Sequence, residues 1–117
     1  YDNVIDGAGS GFVIGGSTTV TGNTIDHNII LNSTGLPNAG LTQGVGIKSV
    51  GPLGHSNAFT DNDVDGSIGQ ATGIEMHGNT TAAPKLADPA DHDYRLTTST
   101  PPTVTAWGLW DGAPSAA

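Results

Sequence analysis

The sequence predicts an all-β solenoid, in which short strands stack in successive coils around one apolar column. Three observations carry that reading. The residues that are neither small nor charged are mostly Val, Ile, Thr and Asn, which suit strands and tight turns rather than helices. A short pattern of Asn and apolar residues recurs along the chain. No predicted strand is long enough to close a core with its own hairpin partner. The 18 Gly and 7 Pro among 117 residues approach the share found in disordered chains. However, only 12% of residues are charged and the apolar ones cluster, which is the opposite of a disordered composition.

The elements follow in order. Asn3-Val4-Ile5-Asp6-Gly7 opens the pattern, and Asn62-Asp63-Val64-Asp65-Gly66 repeats it. Asn23-Thr24-Ile25-Asp26-His27-Asn28-Ile29-Ile30 lies on Asn57-Ala58-Phe59-Thr60-Asp61-Asn62-Asp63-Val64, both reading Asn-x-apolar-x-x-Asn-x-apolar. Gly-led strands come next: Gly11-Phe12-Val13-Ile14, Gly46-Ile47-Lys48-Ser49-Val50 and Gly73-Ile74-Glu75-Met76-His77. A turn-rich insert over residues 33–44 enlarges the middle copy. Strand alternation then stacks Phe12, Ile47 and Ile74 in one inward column, and Ile14, Ser49 and Met76 in the next. Ile25 joins Phe59, and Ile5 joins Ile29 or Ile30 and Val64. At the bends, Asn3, Asn28 and Asn62 are placed to form a ladder of side-chain amides bonding to backbone groups of adjacent coils. The competing reading makes the asparagines exposed loop residues or glycosylation acceptors, a pattern matched by Asn32-Ser33-Thr34 and Asn79-Thr80-Thr81.

Charge narrows the function. Eleven acidic residues face three basic ones, a net charge of −8, which repels nucleic acid and anionic lipid. No apolar run approaches the roughly 18 residues of a membrane span. With no cysteine, thiolate metal sites and cysteine nucleophiles are excluded.

The rungs over residues 1–79 resemble the right-handed parallel β-helix proteins of the pectate-lyase-like superfamily. The tail adds a second likeness to secreted members: Pro84-Lys85-Leu86-Ala87-Asp88-Pro89, then Asp93-Tyr94-Arg95-Leu96, then Thr100-Pro101-Pro102-Thr103-Val104-Thr105-Ala106-Trp107-Gly108. The last of these departs from the family, with Thr-Val-Thr where Ala-Ile-Asp is usual. The resemblance implies a right-handed parallel β-helix of about three rungs over 1–79, with an irregular C-terminal capping segment over 80–117. Tyr94, Leu96, Val104, Trp107, Leu109 and Trp110 are the residues expected to cover the last rung. Trp107 and Trp110 also suit sugar stacking. Tyr1 starts within a rung that no cap precedes, so the chain is expected to be the C-terminal piece of a longer solenoid, resting on missing N-terminal rungs or on a partner chain.

The resemblance further implies a polysaccharide-processing enzyme, a lyase or a glycoside hydrolase or transferase, secreted or at the cell surface. The rival reading is a non-catalytic β-helix adhesin, tailspike or surface module, able to form a homotrimer. Lys48 and Glu75, outward on consecutive predicted rungs, are the candidate catalytic pair. A lysine beside an acid is what β-elimination of a uronate needs; the same two residues also read as an exposed ion pair. Asp61, Asp63 and Asp65 resemble the start of a Ca²⁺ loop, although Thr72 stands where its closing acid belongs. They read equally as surface carboxylates. Asp26 with Asp61 or Asp63 supplies the paired carboxylates of a glycoside hydrolase. His27, His55, His77 and His92 lack metal-ligand spacing. Gly7-Ala8-Gly9-Ser10-Gly11 leads into no helix, so it is no phosphate cradle. Arg95 is expected to pair with Asp93 or Asp88.

Overall fold

Runs of two to six strand-forming residues, punctuated by Gly, Asn and Asp, leave the chain little choice but short strands and sharp bends. The computed structural model describes residues 1, 3–35, 37, 43–70, 72–81, 85–97 and 99. They form two compact units, Tyr1–Thr81 and Ala82–Ala117. The first holds nine strands: β1 (Val4–Asp6), β2 (Ser10–Gly15), β3 (Thr24–Asp26), β4 (Ile29–Leu31), β5 (Val45–Val50), β6 (Ala58–Thr60), β7 (Asp63–Val64), β8 (Ser67–Gln70) and β9 (Glu75–His77). They build three parallel sheets in the orders β1-β4-β7, β2-β5-β8 and β3-β6-β9. Each strand therefore pairs with the one three places further on, a full coil later. That is a parallel β-helix of about three rungs, and no α-helix occurs among the described residues.

The register decides which side chains stack. Ile5, Ile30 and Val64 align on the first sheet. Phe12 aligns with Ile47 and Ile14 with Ser49 on the second, and Ile25, Phe59 and Met76 on the third. Ile14, Ile30, Ile47, Phe59 and Val64 form the buried core, with Phe12 set edge-on to Phe59 at 6.2 Å between ring centroids. Leu53, bridged to Val20, and Ile68 and Ile74 pack around it.

Two expected columns are corrected at their third position. Ile74 does not stand over Ile47; Gly69 does, and Met76 joins Phe59 rather than Ser49. The third coil is short. β7 passes into β8 through Asp65 and Gly66, whereas residues 32–44 separate β4 from β5. The third place in the β2-β5 sheet is thus filled by Ser67–Gln70, and the Gly73-led strand falls in the β3-β6 sheet.

The glycines that lead two of the strands have a packing reason. A Cβ at Gly11 would lie 2.6 Å from the Gly46 carbonyl oxygen and 2.7 Å from Ile30 Cδ1. At Gly46 it would lie 2.7 Å from Val64 Cγ2. These positions bring the backbone against the core at the corner, and only a residue without a side chain fits.

The asparagine ladder is present and longer than the sequence suggested. Asn3 donates from its backbone N–H and from Nδ2 to Asn28 Oδ1 (3.0 and 2.9 Å). Asn28 does the same to Asn62 Oδ1 (both 2.9 Å), and Asn62 to Asn79 Oδ1 (3.0 and 3.1 Å). Asn28 and Asn62 are fully buried, so neither is an exposed loop asparagine. A second, shorter ladder joins Asn23 to Asn57, whose Nδ2 donates to the Val20 carbonyl.

The second unit contains an antiparallel pair, β10 (Leu86–Asp88) and β11 (Asp93–Leu96), joined by a 3-10 turn at Pro89–Asp91 with His92 in the left-handed region. Tyr94 and Leu96 lie on β11. Val104, Trp107, Leu109 and Trp110, expected to share in a cap, lie outside the described residues.

Candidate functional site

The β3-β6-β9 sheet carries the densest chemistry. Ile25, Phe59 and Met76 point into the core, so alternation turns the residues on either side of each outward. One outward row is Thr24, Ala58 and Glu75; the other is Asp26, Thr60 and His77. Each strand then ends in a left-handed corner, at His27 (φ 54°), Asp61 (φ 54°) and Gly78 (φ 69°). The corner is required because the next residue must enter the asparagine ladder, and His and Asp are among the side chains that tolerate this backbone. Asp26, Asp61 and Glu75 sit on three successive coils but not in one row: Asp26 lies in the row with Thr60 and His77, Asp61 at the corner one residue beyond that row, and Glu75 in the row with Thr24 and Ala58. His27 and His77 share the same edge.

Local contacts differ from coil to coil. Asp26 Oδ2 lies 2.7 Å from His27 Nδ1, with the two side chains 28% and 32% exposed. Glu75 Oε1 lies 3.4 Å from His77 Nε2, and this pair is largely exposed, so solvent screens it. Asp61 is half-buried and its N–H donates to the His77 carbonyl. Thr60, between Asp26 and His77 in the same row, is buried. The groups present are therefore carboxylates and imidazoles, side chains that bond to hydroxyl groups and serve in acid-base chemistry.

Lys48 is elsewhere. It lies on β5, aligned with Val13 on one side and Gln70 on the other, whereas Glu75 aligns with Ala58 on the third sheet. The two residues are not neighbours on consecutive rungs, and the short third coil is the reason. The outward face around Lys48 is mixed, with Val13 51% exposed.

The three aspartates of the proposed cation loop also part company. Asp61 occupies its corner, Asp65 is exposed, and Asp63 is fully buried instead of facing outward. Its aligned partner Ile29 is equally buried, so this sheet is covered on both sides and alternation alone does not predict exposure there. Among the described residues no group of three or more His, Asp or Glu is placed to hold a metal ion.

The remaining candidates are placed plainly. His55 Nδ1 lies 3.1 Å from Ser56 Oγ, and His92 Nδ1 lies 3.1 Å from Tyr94 OH. Arg95 forms a two-pronged pair with Asp93, through Nε (2.8 Å) and Nη2 (2.6 Å). That guanidinium holds the Asp93 carboxyl at about 2, below its ordinary 3.8. Asn32 donates to Asp6 Oδ1 (2.7 Å) and is exposed; the Asn79 amide is spent in the ladder and on the Phe59 carbonyl. The sequence paired Asp26 with Asp61 or Asp63, and the structure keeps Asp61 at the edge and buries Asp63; His27 and His77 were not joined to that pair. The signal for the first two coils was the alignment of Asn23-Thr24-Ile25-Asp26-His27 on Asn57-Ala58-Phe59-Thr60-Asp61. Comparison with known proteins adds nothing to this: no family model, no curated protein and no solved structure matches the chain.

Proposed function

We propose that the chain is part of a polysaccharide-processing enzyme, acting by hydrolysis or glycosyl transfer on a glycan laid along the outward edge of β3-β6-β9. The observation that carries this is Asp26 and Asp61 on successive coils, offset by one residue at the same edge of the sheet, with His27 and His77 beside them and Glu75 on the next coil. Glycoside cleavage needs one carboxyl to protonate the leaving oxygen and a second carboxylate to attack the anomeric carbon or to activate water, with separations of about 5 to 9.5 Å. Carboxylates one coil and one residue apart, as Asp26 and Asp61 are, start from backbone positions roughly 6 Å apart. In this reading Asp26 and Asp61 are the pair, and Glu75 and His77 bind sugar hydroxyls on the next coil. A polysaccharide substrate fits a secreted or surface location. The β-elimination reading loses support, because Lys48 lies on a different sheet from Glu75.

The test is turnover of a panel of neutral and uronate oligosaccharides, read both as reducing ends and as unsaturated product. Asp26→Asn and Asp61→Asn are each expected to lower turnover by about 100-fold or more with unchanged melting temperature, while Lys48→Ala leaves it near wild type. Unsaturated product that disappears in Lys48→Ala would overturn the hydrolytic reading in favour of a lyase. Glycan binding without any turnover would overturn it in favour of the non-catalytic adhesin.

A further inference from the structure

We infer that the outer edge of β1, β2 and β3 is a docking edge for a further parallel β coil carrying asparagine at two corners. Three observations lead there. These strands are each the terminal strand of their sheet, so one side of each carries no strand partner among the described residues. Both asparagine ladders are polar, and they run the same way. In each, the residue of one coil donates from N–H and Nδ2 to the Oδ1 of the next: Asn3 to Asn28, and Asn23 to Asn57. At this edge the ladders therefore end on two acceptors, Asn3 Oδ1 and Asn23 Oδ1, which receive no donor among the described residues. Both residues are exposed, whereas Asn28, Asn57 and Asn62 are buried within the stack. The edge thus presents two carbonyl oxygens spaced by a full sheet, and what matches them is a coil bringing an N–H and a side-chain amide to each corner.

A second copy of this chain does not supply that match. Two copies meeting edge to edge would set Oδ1 against Oδ1 and run their strands antiparallel. A copy stacked head to tail would bring the coil that opens at Asn62. At its other corner that coil offers no asparagine but Ile74, the residue preceding Glu75, which pairs with the Ala58 that follows Asn57. The chain's own second coil does have the required pattern, with Asn28 at one corner and Asn57 at the other.

The experiment fuses a copy of residues 28–59 directly ahead of Tyr1 in the full 117-residue chain. That junction keeps register, because Asn3 aligns with Asn28 and Asn23 with Asn57. Backbone amides on the outer side of β1 and β3 are expected to exchange at least about tenfold more slowly than in the unextended chain, with β9 unchanged. Replacing both added corner residues (N28A and N57A in the copy) is expected to remove most of that protection. In case the fusion does not fold, the same segment as a synthetic peptide is titrated into the ¹⁵N-labelled chain. Shifts should then appear at the Asn3 and Asn23 side-chain amides, and the N28A/N57A peptide should bind about tenfold more weakly. Equal protection or binding by the two versions overturns the inference, as does failure of both fusion and peptide. Concentration-dependent protection of β1 and β3 in the unextended chain also overturns it, by giving the edge to a second copy.

Discussion

A single asparagine in the middle of the ladder does more than one in a loop. Asn62 is fully buried; its Oδ1 accepts from Asn28 twice, and its Nδ2 faces the carbonyls of Ile25 and Thr60 (both 3.0 Å) as well as Asn79 Oδ1. Asn62→Ala strands a buried N–H and at least one buried carbonyl, each worth about 1–3 kcal/mol. Urea denaturation is expected to show a loss of about 3 kcal/mol or more. Asn3→Ala, at the exposed end of the same ladder, should cost about 1 kcal/mol, since the groups it leaves can reach water. Equal losses at the two positions would mean that the ladder's interior holds no special share of stability. The recurrence of Asn-x-apolar made this ladder legible from sequence at Asn3, Asn28 and Asn62. Asn79 was hidden by its shorter interval and by Thr80-Thr81, which reads as an acceptor motif. Asp63 was misread for a different reason: alternation reports which side of a strand a residue takes, not whether that side meets solvent.

At the scale of elements, a corner glycine and a strand ion pair make separate predictions. The β5 corner closes only because Gly46 lacks a Cβ. Gly46→Ala would press on Val64 Cγ2 and on the Ile68 carbonyl, at 2.7 and 2.8 Å. Overpacking of this kind costs about 1–3 kcal/mol, and a drop in melting temperature with little change at the β3-β6-β9 face is the expected outcome. Within β11, the Asp93–Arg95 ion pair responds to pH. The Asp93 carboxyl titrates at about 2 in the folded chain and near 3.8 when unfolded. A depressed folded value means the Arg95 pair contributes above about pH 4, and that the contribution is lost as pH falls through 2. Following the Asp93 carboxyl carbon by NMR should give that low midpoint, and Arg95→Ala should return it towards 3.8. A midpoint unmoved by Arg95→Ala would show that the pair is not formed in solution. Strand existence was readable from composition and alternation; strand partnership in the third coil was not. Gly73-Ile74-Glu75-Met76 resembles Gly46-Ile47-Lys48-Ser49 locally, but only the length of the connection decides the sheet, and Asp65-Gly66 is too short to carry the chain past β8. The same misplacement set Lys48 beside Glu75 and kept Glu75 off the sheet that carries Asp26.

At the scale of the molecule, a β-helix is a one-dimensional stack whose coils contact only their neighbours. The smallest coil here is the 17-residue interval from Asn62 to Asn79, closed at both ends by the ladder. Duplicating residues 62–78 in tandem therefore supplies one more asparagine, one more Val64 and one more Met76, each aligned with its own column. The added coil buries new apolar surface without any new fold, so the urea dependence should steepen in proportion to the surface exposed on unfolding, and the melting temperature should hold or rise. A coil that merely looped out would leave that slope unchanged. Met76→Asp placed in the added copy alone separates the two outcomes: buried in a stacked coil, an unpaired carboxylate is strongly destabilising, whereas in a loop it is indifferent. Steeper unfolding that the aspartate abolishes would establish the stack as modular. Indifference to the aspartate would show that the third coil, despite its closed ladder, is not a repeatable unit of this fold.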